Sequence, residues 1–295
     1  MAEEKRLIII DANSLLHRAF HALPPLTNKK GQPTGAVYGF LLTLFKAIKD
    51  LKANHIVACF DTPAPTFRHQ KFKEYKIHRP KTPEGIVSQI HLMKEVLKSF
   101  NIPVFEKDGF EADDLIATIA KNSESKAEVF ILSGDLDNLQ LVGQKTKVYT
   151  LGKGIKDSVL YDEAKVFERF GVNPQQMNDF KALTGDVSDN IPGVPGVGKK
   201  TAAELIQKFG GIKNLYEELS TDTAVLKPKV KDTLKNNKEN AFLSLDLVQT
   251  KKDVPIEFNL EDCRFGSFDQ EKVKNTFQEL GFQSLIERLS TIVFN

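Results

Sequence analysis

Cysteine is scarce in this 295-residue chain, long apolar runs are missing, and neither sign of charge dominates. The two cysteines, Cys59 and Cys263, exclude a disulfide scaffold, and neither sits in the CxxC spacing of a zinc site. The longest apolar run near the start, Leu7-Ile8-Ile9-Ile10, is cut by Asp11. That is too short for a secretory h-region or a membrane span, so a cytoplasmic location with no membrane partner is expected. With 41% hydrophobic and 27% charged residues, the composition excludes disorder and collagen-like chains. Lys and Arg number 41 against 39 Asp and Glu, a net charge of +2 that names no partner by itself. The length suggests roughly two domains, or one large α/β domain.

Short apolar runs alternate with amphipathic stretches through the first half. The runs are Leu7–Ile10, Ile56–Phe60, Val104-Phe105, Val129–Leu132 and Val148–Leu151, with helix-like segments between them. Strand–helix alternation predicts an α/β fold with a mostly parallel central sheet and helices on both faces. Unbroken apolar runs suit strands buried on both faces. From about residue 160 the strand signal fades, and Asp162–Phe170, Pro174–Leu183, Lys199–Phe209, Gly211–Leu219, Asn236–Leu245, Asp269–Leu280 and Gln283–Leu289 read as helices. The expected division is an α/β core over residues 1–172 and a helical part over 173–291.

Acids recur where the predicted strands end. Asp11 and Asp61 close the first two runs, Glu111, Asp113 and Asp114 open a helix after the third, and Asp135 and Asp137 follow the fourth. Asp186 and Asp189 stand at the junction with the helical part. A single such Asp is adequately explained as a helix cap. A converging set repels itself unless cations neutralise it. Oxygen donors without His or Cys select Mg²⁺ or Mn²⁺ over zinc, and such clusters host two-metal phosphoryl chemistry.

The segment Asp61–Pro83 has no apolar periodicity and four prolines, and connections of this length are usually functional. From Arg68 to Lys81 it carries six Lys or Arg and one Glu, with Phe67, Phe72 and Tyr75 interleaved. Cations neutralise phosphates and aromatics stack on unpaired bases, so a single-strand grip is expected, mobile without nucleic acid. Gly193-Val-Pro-Gly-Val-Gly-Lys-Lys-Thr201 falls short of a P-loop, because Lys200 stands where Ser or Thr belongs and no strand precedes it. A helix–hairpin–helix over about 186–210 is the better reading, holding duplex backbone without reading sequence.

These residues resemble the 5′–3′ exonuclease (flap endonuclease) family, of the kind that forms the N-terminal nuclease domain of bacterial DNA polymerase I. The resemblance rests on five stretches in the family's order: Asp11–Leu23, Phe60–His69, Gly109–Leu115, Ser133–Val142 and Thr184–Ala202. It implies a two-metal, structure-specific nuclease acting on 5′ flaps and 5′ ends in primer removal and repair, with two Mg²⁺ or Mn²⁺ per site. Asp11, Asp61, Glu111 and Asp113 match ligands of the first metal, and Asp135, Asp137 and Asp186 those of the second. Asp114 and Asp189 match further acids of the metal site. Arg68 and Lys76 match catalytic cations of a helical arch, placed here at 61–83.

DNA contacts are expected from His17, Arg18, Lys71, Lys73 and Arg79, and from Gly193, Gly196, Gly198, Lys199 and Lys200. The last group would form the family's helix–three-turn–helix, which holds duplex and often K⁺. Expected partners are branched or 5′-flap DNA, nicked duplex and RNA-primed DNA, bound by a monomer. Leu136 replaces the family's usual Lys, and His17 its usual Tyr. Stand-alone nuclease and domain of a longer polymerase both remain open. The competing functions are a metal-dependent single-strand ribonuclease, which would lack the glycine-rich grip, and a non-catalytic branched-DNA binder, which would tend to lose metal ligands.

Overall fold

The computed structural model describes residues 4–152, 157–221 and 223–292. Six strands form one sheet: β1 (Arg6–Asp11), β2 (His55–Cys59), β3 (Val104–Phe105), β4 (Glu128–Leu132), β5 (Thr146–Leu151) and β6 (Ser158–Tyr161). Their order is β3-β2-β1-β4-β5-β6, parallel throughout except for β6, which pairs antiparallel with β5. The chain winds outward from β1 in one direction and from β4 in the other. The point where strand order reverses therefore lies between β1 and β4, and in open α/β sheets ligands bind beyond the carboxyl ends there.

The continuous apolar runs are explained by burial on both sides. Side chains alternate across a strand. Leu7 and Ile9 face one core with Val57, Val129 and Ile131, while Ile8 and Ile10 face the other with Ile56, Ala58 and Leu132.

On the second face lie α1 (Ala12–Ala22), α2 (Gly35–Leu51) and α4 (Glu84–Ser99), with the five-residue α3 (Phe67–Lys71) between α2 and α4 in sequence. On the first face lies α5 (Ala112–Ser123), followed by α6 (Glu163–Phe170), α7 (Met177–Thr184), α8 (Lys199–Phe209) and α9 (Ile212–Ser220). Then come α10 (Pro228–Asn236), α11 (Lys238–Val248), α12 (Gln270–Leu280) and α13 (Gln283–Ile292).

The helical part shares its cores with the sheet. Leu205, Phe209 and Leu215 continue the first cluster, while α12 returns to the other face, its Phe277 ring meeting Phe45 and Phe100. Two elements lie outside the sequence expectation, β6 and α10, and the helical arch expected at 61–83 holds one short helix. Strand β6 is only four residues long, α10 is lysine-rich with Leu234 as its single buried residue, and α3 is a single turn inside the basic segment.

Candidate metal centre and nucleic-acid interface

Asp11 is the last residue of β1 and the N-cap of α1, accepting from the Ser14 N–H at 3.2 Å. Its other oxygen accepts from Ser133 Oγ at 2.6 Å. Asp61, just past β2, accepts the Ala112 N–H at 2.8 Å and so ties the second strand end to the start of α5. Glu111 caps α5, and Asp113 lies in its first turn. Asp135 and Asp137 lie past β4, where the Asp137 N–H bonds Asp135 Oδ1 at 3.0 Å. Strand ends and helix starts thus deliver the acids to one edge of the sheet, at its switch point.

Their electrostatics show the crowding. Burial pushes Asp11 up to about 7, with repulsion from Asp61 and Asp135 adding to it against the Ser133 hydrogen bond. Asp137 also reaches about 7, through burial and then Asp135, despite Lys181. Asp113 is raised well above the carboxylate range by burial and then by Asp11, Asp135, Asp137 and Glu111. Asp61 is raised by burial, opposed by the Ala112 N–H. Among the described residues no three acids already close a ready-made coordination sphere. The donor set is nonetheless all oxygen, and its full ionisation calls for countercharge, so hard divalent cations fit it.

Asp114 is a different residue from its neighbour. It has 0% exposure, and both oxygens are spent. Arg68 grips it bidentately at 2.8 and 2.9 Å, and the backbone N–H groups of Glu111 and Lys251 complete the set at 3.1 and 2.7 Å. This corrects its expected place among the metal ligands. Arg68 is corrected with it. Only 2% exposed, it also donates to the Leu247 and Gln249 carbonyls at 2.8 and 2.9 Å, and its Nη1 lies 3.4 Å from a Glu111 oxygen. It is an internal clamp joining the basic segment, α5 and the end of α11, with four of its five N–H groups bonded inside the protein.

The basic segment has a small core, which its sequence did not indicate. Tyr75 is 4% exposed and packs with Ile191, Leu247 and Val248, with Phe72 against them. Its hydroxyl lies 3.2 Å from Glu111 and 3.3 Å from Asp189. Lys76 adopts a left-handed backbone (φ 57°), held by its N–H on the Asp189 carbonyl at 3.0 Å. Non-glycine residues keep such a conformation only where their surroundings enforce it. The result aims Lys76 Nζ at Glu111, 2.7 Å away, and Arg79 pairs with Asp189. Burial alone would lower Lys76; Glu111 and Asp189 outweigh it and hold it charged. Within the basic segment, Lys76 and Arg79 are thus the less enclosed cations that face the acids. Lys71 pairs with Asp246 at the surface, and Lys73 is exposed.

Lys181 on α7 went unnoticed in the sequence. It bonds Asp137 and, at 3.0 Å, Asp186. Burial works to raise Asp186, but bonds from Ser188 and the Lys181 charge bring it down to about 2. Leu136, where a cation was looked for, packs on the apolar core. The usable signal was the spacing, because Lys181 stands in the last turn of α7, five residues before Asp186, which lies just past the helix end. Half-buried His17 has its basicity lowered by burial, then by His21 and Arg79, and Asp61 opposes this. Arg18 is turned to the Gly152 carbonyl beyond β5.

In the glycine-rich turn the glycines divide by role. A Cβ on Gly193 would lie 2.3 Å from the Gly185 nitrogen, so this buried residue serves a backbone-to-backbone contact and not a DNA approach. Gly196 (φ 84°) and Gly198 would meet nothing within 4 Å and, with Lys199 and Lys200, are exposed at the start of α8.

A doubly wound sheet with acids crowded at its switch point is the framework of an α/β enzyme, and comparison with known proteins supplies the family. Residues 6–171 match the 5'-3' exonuclease N-terminal resolvase-like domain, and residues 172–271 the 5'-3' exonuclease C-terminal SAM fold. The chain belongs to the 5'-3' exonuclease family.

A 5'-3' exonuclease of Aquifex aeolicus (strain VF5) is 40% identical over 289 residues, 98% of this chain and 96% of its own. DNA polymerase I of Bacillus subtilis (strain 168) is 43% identical over 290 residues, 98% of this chain and 33% of its own. The chain therefore spans about a third of the polymerase relatives it matches. Among solved structures, a flap endonuclease of bacteriophage T5 in complex with DNA and metal ions superposes with TM-score 0.67 at 21% identity, covering 99% of this chain and 100% of its own. Among the described residues no helix is long and apolar enough to cross a membrane.

Proposed function

We propose that this nuclease is a structure-specific 5′ exonuclease and flap endonuclease that hydrolyses DNA phosphodiesters with two divalent metal ions, Mg²⁺ or Mn²⁺. One observation carries the reading: Asp11, Asp113 and Asp137 stand at the carboxyl edge with pKa values raised by burial first and then by neighbouring acids, a set whose ionisation requires cations. Asp11, Asp61, Glu111 and Asp113 would hold one ion, and Asp135, Asp137 and Asp186 the other, with Asp189 orienting the arch cations. When bound, the ions supply Lewis acidity and an activated water. Lys76 and Arg79 offset charge on the scissile phosphate as it grows in the transition state. Lys181 holds Asp137 and Asp186 together.

Residues 1–172 would form the catalytic part and 173–291 the duplex-holding part, gripping backbone through Gly196, Gly198, Lys199 and Lys200 with K⁺ at the turn. The partners follow as branched or 5′-flap DNA, nicked duplex and RNA-primed DNA, bound by a cytoplasmic monomer. The bacteriophage T5 flap endonuclease, solved with DNA and metal ions, has the same fold. The test is cleavage of a labelled 5′-flap duplex in Mg²⁺ and in EDTA. Cleavage in Mg²⁺ alone supports the proposal, and binding without cleavage in both refutes it.

A further inference from the structure

Asn138 belongs to neither ligand set above, yet it is a fully enclosed polar side chain beside them. It lies in the 3₁₀ turn Asp137–Leu141 with 0% exposure, among the buried Leu139 and Leu141. Its Nδ2 stands 3.1 Å from Asp113 Oδ1 and 3.4 Å from Ser133 Oγ. Ser133, also 0% exposed, donates to Asp11 Oδ2 at 2.6 Å and accepts the Asp135 N–H at 2.9 Å. One hydroxyl proton and two lone pairs are thereby all used. In the ionised state that would hold a metal ion Asp113 only accepts, so there the amide turns its NH₂ toward it. The amide oxygen is then left buried without a partner among the described residues. An apolar side chain at this place would avoid that cost. A group that breaks a packing rule at the edge of a site is expected to serve the site.

We infer that Asn138 is a positioning residue, which with Ser133 forms a two-residue hub orienting Asp113, Asp11 and Asp135 for their metal ions. The inference rests on the metal reading above. Outer partners of metal ligands fix ligand orientation, and their loss typically weakens metal binding about 10–100-fold.

The test is Mn²⁺ binding to the full chain without DNA, followed by the resonance signal of free Mn²⁺, for the wild type, Asn138→Leu, Asn138→Ala and Ser133→Ala. Leu has the same branching at Cγ and neither hydrogen-bonding atom; Ala guards against overpacking. Melting in EDTA reports whether each variant folds. The expected result is cooperative melting with Mn²⁺ affinity lowered about 10–100-fold. The Ser133→Ala/Asn138→Leu double variant should lose less than the product of the singles, because one hub is broken. In cleavage assays the half-saturating Mn²⁺ concentration should rise while the maximal rate is restored. Unchanged Mn²⁺ affinity in folded variants overturns the inference, and so does failure of both Asn138 variants to fold, which would assign the amide to the fold. A wild type that binds no Mn²⁺ overturns the metal reading itself.

Discussion

Replacing Arg68 by Ala separates a structural clamp from a catalytic cation. The guanidinium pairs with Asp114 inside the protein, their side chains 3% and 0% exposed. Removing one partner of a buried pair leaves an uncompensated charge, at a cost of about 3–5 kcal/mol. The Glu111 and Lys251 N–H groups still reach Asp114, which favours the lower end of that range, whereas the Leu247 and Gln249 carbonyls lose their donor, which favours the upper. At ~2.1 cal/mol/K per residue, 295 residues have an unfolding entropy of about 0.6 kcal/mol/K, so the midpoint should fall by roughly 5–8 °C. Calorimetry in EDTA, without DNA, measures this apart from any metal or substrate effect. The double variant Arg68→Ala/Asp114→Ala should recover part of the loss, because the orphaned charge goes with it. A midpoint within about 1 °C of wild type, together with a single-turnover rate down more than ~100-fold, would refute the clamp and return Arg68 to the chemistry.

Three further outcomes follow from the same geometry. Asp11 and Asp137 are raised to about 7 in the folded chain, above their unfolded values, so their contribution to stability is present at low pH and is lost as pH rises through about 7. In EDTA the melting point should therefore fall from pH 5 to pH 8, and Asp11→Asn should flatten that slope; an unchanged slope contradicts the crowding. Gly193→Ala should disrupt folding, with its Cβ 2.3 Å from the Gly185 nitrogen, whereas Gly198→Val should leave the melt intact and weaken duplex binding over single-strand binding. Equal losses on both substrates would remove the turn from the interface. Lys76→Ala and Arg79→Ala should each lower single-turnover cleavage roughly 10²–10³-fold at saturating enzyme. Lys71→Ala and Lys73→Ala should mainly reduce affinity and the salt slope, by about one unit for each phosphate no longer neutralised. Normal cleavage by both members of the first pair would leave the arch as an electrostatic funnel only.

What the sequence made legible was whatever depends on local pattern. Four of the five parallel strands could be read because burial on both faces makes each an apolar run, the half-buried β3 showed only as the pair Val104-Phe105, and acids after the first four marked the edge of the sheet. Strand β6 escaped because an antiparallel edge of four residues leaves almost no periodicity. The pairing of side chains was not legible at all. Asp113 and Asp114 are adjacent in sequence, but the helix turns successive side chains about 100° apart, so one joins the acid cluster and the other faces Arg68. Nothing in the order of residues says that Arg68 reaches the carbonyls of residues 247 and 249, which lie about 180 positions further on. The basic segment looked coreless because the partners of Tyr75, Ile191 and Val248 among them, come from the distant helical part.

The central claim is that the acids at the switch point perform cleavage through divalent metal. The most direct measurement is single-turnover hydrolysis of a labelled 5′-flap duplex by wild type and Asp113→Ala, in Mg²⁺ and in EDTA, with binding of the same DNA measured alongside. Asp113 sits where Asp11, Asp135, Asp137 and Glu111 all act on it. The variant should hold the flap with near-normal affinity and leave it uncut, as should the wild type in EDTA. Cleavage by Asp113→Ala within tenfold of wild type, a barrier change of only ~1.4 kcal/mol, would contradict the account.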